Sequence, residues 1–139
     1  MKRLALLALF VPLLAACVND GIGMVIDGPD HAISLLREQP RFWEKRMELK
    51  IVVSRLPDCQ RRHNLQPAAI DPGFKVEIYT TGPDTYLLEQ GKHLYLTETQ
   101  TCRGFQKLTE VPPGGKGELL GVFREEKGKL VFVAAQPAQ

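Results

Sequence analysis

The 139-residue chain is poor in the features that usually announce a chemistry. It has no Gly-x-Ser-x-Gly, no His-Glu-x-x-His and no glycine-rich phosphate loop, which removes the common hydrolase, zincin and nucleotide-binding signatures. Three histidines and three cysteines restrict any metal or thiol site to a handful of side chains. Aromatic residues make up 7%, and Phe42, Trp43, Phe74, Tyr86 and Tyr95 are expected in the core, since a domain of this size needs them. Internal repeats and low-complexity tracts are absent. The longest apolar run, Leu4 to Leu14, is broken by Pro12 and falls well short of the ~20 residues that a membrane-spanning helix takes.

That short run is nevertheless the most informative stretch. Lys2 and Arg3 precede it and Ala15-Ala16 follow, giving the basic, apolar and small-residue parts of a cleaved secretory signal. Cys17 comes next. The sequence Leu14-Ala15-Ala16-Cys17 resembles the lipobox of bacterial lipoproteins, a resemblance confined to residues 1–17. It implies a signal peptide over 1–16, diacylglycerol on the Cys17 thiol and acylation of the new amino group. Each buried methylene of such chains contributes about 0.8 kcal/mol, so several chains make a lasting anchor. Val18 stands where an Asp would imply retention at the inner membrane, which implies a lipid-anchored protein on the periplasmic face of the Gram-negative outer membrane.

Removing 1–16 leaves 123 residues, enough for one domain. Lys2 and Arg3 leave as well, so the 18 basic residues fall to 16 and balance the 16 acidic ones. A neutral chain does not suggest a nucleic-acid partner. Lipidation of Cys17 leaves Cys59 and Cys102 as a pair, for which an oxidising periplasm makes a disulfide the default.

Past Cys17 the pattern is that of strands. Residues 17–29, rich in turn formers such as Asn19-Asp20-Gly21 and Asp27-Gly28-Pro29, read as a lipidated tether with Met24-Val25-Ile26 as a docking point. Residues 30–39 fit a short helix or a strand, the strand-like chain that follows favouring the second. Met47, Leu49, Ile51 and Val53 alternate with Arg46, Glu48 and Lys50, the clearest period of two in the chain. Residues 57–73 carry three prolines and no period, which predicts a long polar loop. Phe74, Val76 and Ile78 open another alternation. Hairpins are expected around Gly91-Lys92 and Glu126-Lys127-Gly128, with a frayed end at 136–139. The sum predicts a single mostly-β domain over 30–135, an antiparallel meander curled into a small barrel or sandwich.

Three chemistries compete for the polar residues. Cys59, with His63 as base and Arg61 or Arg62 lowering the thiol pKa, has the parts of a thiol nucleophile only if Cys59 is reduced. Cys59, His63, His93 and Cys102 supply two sulfurs and two nitrogens, a set that tetrahedral zinc accepts if the halves meet. From Arg37 to His63 eight Arg or Lys oppose Glu38, Glu44, Glu48 and Asp58, so Arg55, Arg61, Arg62 and His63 form a candidate binding patch for an anionic envelope component or protein. Set against this, the charges on 46–53 also fit a plain solvated face, balanced by Glu77, Glu89 and Glu98. The expectation is a non-enzymatic binding or assembly module without cofactor or metal, its alternative a zinc- or thiol-dependent periplasmic enzyme.

Overall fold

The alternation on 46–53 sets the layout. In a computed structural model describing residues 17–136, Met47, Leu49, Ile51 and Val53 are buried while Arg46 and Glu48 reach solvent. Neighbours along a strand point to opposite sides, so this one segment already separates a core from an outer face. Residues 1–16 and 137–139, including the expected signal peptide and most of the expected frayed end, lie outside the described residues.

Strand β3 (Arg46–Arg55) sits inside a first antiparallel sheet. There β1 (Asn19–Val25), β2 (His31–Glu38), β3 and β4 (Cys59–Asn64) follow one another in space as in sequence. A short β5 (Ala68–Ala69) pairs with the start of β3. The second sheet runs β11-β10-β6-β7-β8-β9, built from β6 (Lys75–Gly82), β7 (Thr85–Gln90), β8 (His93–Glu98), β9 (Phe105–Leu108), β10 (Glu118–Glu126) and β11 (Lys129–Ala134). The described residues contain no helix.

The inner faces share one core. Ile33, Leu35, Leu49 and Ile51 of the first sheet meet Val76, Ile78, Leu88 and Phe123 of the second. The expectation of a mostly-β chain holds, and of barrel or sandwich the molecule is sandwich-like. The chain crosses from β9 back to β10 through residues 109–117. There Gly117, at φ 92°, lies so close to the Thr80 carbonyl that a Cβ would collide with it.

Two segments differ from the sequence reading. The expected tether contains β1, paired with β2 from Asn19↔Glu38 to Val25↔Ala32. Its glycines serve packing: a Cβ at Gly21 would collide with the Leu36 side chain, which lies across it. Residues 57–73 are likewise not one loop, since Cys59–Asn64 pairs with Lys50–Arg55. As an edge strand of polar residues, β4 has too little apolar alternation to be read. The ambiguous 30–39 segment is strand, with His31, Ile33, Leu35 and Arg37 turned inward.

Candidate functional site

Strand direction gives the sandwich two distinct ends. Ten residues of β3 at ~3.3 Å each separate them by about 30 Å. Cys17 belongs to the first end, together with the β2–β3 turn and the β10–β11 turn. The Cys59–Cys102 disulfide belongs to the second, together with the β3–β4 turn and the loop after β8.

The disulfide is formed as expected, with a Cα–Cα distance of 5.9 Å across 43 residues of sequence. It ties the edge strand of one sheet to the loop beside the edge strand of the other. Cys102 is fully buried at φ 61°, a left-handed conformation that a non-glycine residue keeps only when its surroundings impose it. Glu98 is the nearest restraint. Its carboxylate accepts from Thr101 N at 2.7 Å, from the Thr101 hydroxyl and from Gly104 N at 2.9 Å, closing the loop that carries Cys102. Burial pushes the Glu98 carboxyl up, but these hydrogen bonds, with one from Gln100, together outweigh it and hold the group at about 2.

His63 is committed to the same clasp. Its Nε2–H donates to the Cys102 carbonyl at 2.8 Å, which assigns the proton to Nε2 because a carbonyl can only accept. The ring stacks on Phe105 with centroids 4.7 Å apart and planes 3° from parallel. Around the disulfide opens a cleft of about 600 Å³ lined by Leu56, Asp58, Arg61, Thr101 and Arg103. Arg103 is a lining cation that sequence reasoning missed; it lies one residue past Cys102, and the pairing of the Cys102 loop with β4 brings it to the cleft that Arg61 borders.

The expected patch of Arg55, Arg61, Arg62 and His63 does not form one surface. On a strand, Arg61 and Arg62 must face opposite ways. Arg61 borders the disulfide cleft, whereas Arg62 lines a second cleft with Glu48, Lys50 and Asn64 on the outer side of the sheet. Arg55 pairs with Asp84 at 3.1 Å, and His63 points into the clasp. The outer charges of β3 are met within their own sheet, Lys50 reaching Glu38 at 3.3 Å. Glu77, Glu89 and Glu98, expected to balance them, instead engage Lys75, Lys116 and the 98–104 loop.

Nor does the zinc or thiol constellation assemble. Cys59 and Cys102 spend their sulfurs on each other. His93 opens β8 at the first end, about 20 Å of strand away from Thr99, whose carbonyl lies 3.6 Å from the Cys59 Sγ. Among the described residues no group of three His, Cys, Asp or Glu is placed to hold a metal ion.

The most deeply placed charge lies elsewhere. Arg37 is 1% exposed, yet it is an arginine at an inward position of β2. Its Nε and Nη2 each donate to Asp20 at 2.8 Å, and its Nη1 donates to Glu125 at 3.0 Å. The Leu130 N–H also donates to Asp20, so four strands from both sheets meet at one guanidinium. The Arg37 fork holds the Asp20 carboxyl below the ordinary range; burial opposes this and the Leu130 N–H adds to it. The Asp20 hydrogen bond, against burial, raises Arg37 in turn. The missed signal was parity, because Arg37 shares the inward phase of Ile33 and Leu35.

The first end is also where the chain leaves Cys17. Val18 O accepts from Gln39 N at 2.7 Å and Val18 N donates to Gln39 Oε1 at 3.0 Å, so ordered pairing begins one residue after the cysteine. Comparison with protein-family models, with curated proteins and with solved structures finds no match for this chain.

Proposed function

We propose that the protein is a non-enzymatic lipoprotein, anchored through Cys17 on the periplasmic face of the Gram-negative outer membrane, that acts as a binding or assembly module for another envelope component. One observation carries the reading: Cys17 and the Arg61–Arg103 cleft occupy opposite ends of a domain about 30 Å long. An anchor at the first end holds the second out in the periplasm. The cleft offers two guanidinium groups beside a covalently fixed loop, and arginine forks suit carboxylates and phosphates of a partner.

Because Arg61 and Arg62 face different ways, they supply an internal control. Cross-linking in intact cells is expected to trap a specific partner that is lost with Arg61→Glu or Arg103→Glu and kept with Arg62→Glu. An adduct pattern unchanged by all three substitutions would remove the cleft from the reading. Metabolic labelling with palmitate, lost in Cys17→Ser, tests the anchor on its own.

A further inference from the structure

The first end carries side chains that the fold does not use. Phe42 and Trp43, in the β2–β3 turn, are 62% and 64% exposed and pack only edge-to-face on each other, with centroids 4.9 Å apart. Aromatics are scarce in this chain, and among the described residues every other Phe and Tyr is at least half-buried. Two neighbouring rings left in water are therefore out of character. Arg41 lies 5.9 Å over the Trp43 ring and pairs with Glu44 at 3.2 Å, and Lys45 and Arg46 follow, all three cations exposed. Antiparallel register brings the start of β8 and the β10–β11 turn to the same end, adding exposed Lys92 and Lys127, while Lys75 at the start of β6 is already paired with Glu77.

The turn is held rigidly against the anchor point. Gln39, bonded to Val18 through its backbone and its side-chain oxygen, also donates from Nε2 to the carbonyls of Phe42 and Glu44. One residue thus joins the chain leaving Cys17 to the turn presenting Phe42 and Trp43.

Resting on the lipoprotein reading above, we propose that this end is a second membrane contact: Phe42 and Trp43 enter the headgroup region of the bilayer that anchors Cys17, with the neighbouring Lys45 and Arg46 on anionic phospholipid. Three features of the face fit lipid. Amphipathic rings favour the interface between headgroups and acyl chains. Basic residues near a surface gain about 1 kcal/mol each from anionic headgroups. The cysteine of the anchor lies at the same end, so the acyl chains and the rings reach one plane. With no slack between Cys17 and β1, the two contacts fix the domain's orientation and direct the Arg61–Arg103 cleft away from the membrane.

Trp43 is the only tryptophan, and Cys17 is the only cysteine outside the disulfide, which makes the test direct. Residues 17–139 are coupled through Cys17 to a maleimide phospholipid in phosphatidylglycerol-containing vesicles, some lipids carrying brominated chains. Expected are a blue-shifted Trp43 emission and about a twofold loss of intensity to the bromines, both weakened by salt or by Arg41→Glu with Lys45→Glu. Emission equal to that of the uncoupled protein would overturn the proposal. So would a blue shift in solution that grows with protein concentration, which would assign the face to a second copy. Coupling is chemical, so the result does not depend on lipidation in cells. Unquenched Trp43 with palmitate on Cys17 removes the docking face alone, whereas quenching without palmitate keeps the face and removes the anchor.

Discussion

The sandwich is closed at diagonally opposite corners by two unlike devices. At one corner a disulfide joins β4 to the loop before β9, and it is indifferent to acid and sensitive to reductant. At the other, Arg37 joins β1, β2, β10 and β11 through two carboxylates, and it is indifferent to reductant and sensitive to acid. Each sheet edge that would otherwise gape is therefore pinned, but the two pins fail under different conditions. The covalent one acts chiefly on the unfolded chain by shortening its loops. The ionic one acts on the folded state, where a fully buried guanidinium donates three hydrogen bonds to Asp20 and Glu125.

Removing the covalent pin is expected to have the largest effect. A Cys59→Ala, Cys102→Ala variant should lose about 4 kcal/mol in urea titrations, the chain-entropy value for a loop of this separation. A parent protein treated with reductant should lose a similar amount. A loss below about 1 kcal/mol would mean that the Glu98 loop and the His63–Phe105 stack hold the corner by themselves.

Arg37→Met should come next, at about 3 kcal/mol, because it leaves Asp20 and Glu125 facing each other without the cation. Adding Asp20→Asn and Glu125→Gln should recover most of that loss, since the uncompensated charges and not the missing attraction carry the cost. The two corners are distant and share no partner, so the cysteine and arginine losses should add. A coupling beyond about 0.5 kcal/mol would show that the corners communicate through the core.

Acid reaches both corners, through Asp20 at one and Glu98 at the other, and leaves the disulfide itself untouched. A carboxyl whose folded pKa lies below its unfolded value stabilises the fold at higher pH, and the gain disappears as pH falls through the folded value. For Asp20 the contribution is present above the ordinary 3.8 and is lost as pH falls below that through the lower folded value. Glu98 starts from 4.5 and keeps part of its contribution down to about 2. The urea midpoint of the cysteine variant should therefore fall between pH 5 and pH 2 as steeply as the parent's. Arg37→Met should flatten the Asp20 part and leave the Glu98 part. Glu98→Gln, expected to cost about 1 kcal/mol at neutral pH by weakening a charged acceptor of several hydrogen bonds, should cost almost nothing at pH 2. An equal cost at both pH values would show that shape and not charge closes the 98–104 loop.

These corners also mark how far the sequence could be read. Strands with apolar alternation, such as 46–53 and 74–79, were legible because burial on one face writes itself as a period of two. The Cys59–Cys102 pair was legible through the odd cysteine count once Cys17 was set aside. Strands β1 and β4 were not, for opposite reasons: Gly21 and Gly23 imitate a turn while serving close packing, and polar β4 lies at an edge that gives it little apolar alternation. The candidate patch failed for a related reason. Reading 57–73 as a loop allowed Arg61 and Arg62 to act together, whereas a strand turns them apart. Arg37 was hidden by its type, since a charge at an inward position is expected on the surface unless its partners are known, and Glu125 is 88 residues away.

The smallest stability effect belongs to the rings at the first end, and its smallness is the point. Phe42→Ser with Trp43→Ser should change the unfolding free energy in urea by less than about 0.5 kcal/mol, because the exposed pair contributes little that water does not replace. Phe123→Ala, removing a fully buried ring from the core, should cost about 3–5 kcal/mol. A contrast of that size between two sites rich in the same residue type says that the exposed aromatics are kept for something other than the fold. If instead the Ser pair destabilised the domain by 2 kcal/mol or more, the turn would be a structural lock on Gln39 and β1. Trp43 would then be part of the device that pins the chain beside Cys17, and the case for a lipid-facing surface would rest on the vesicle measurement alone.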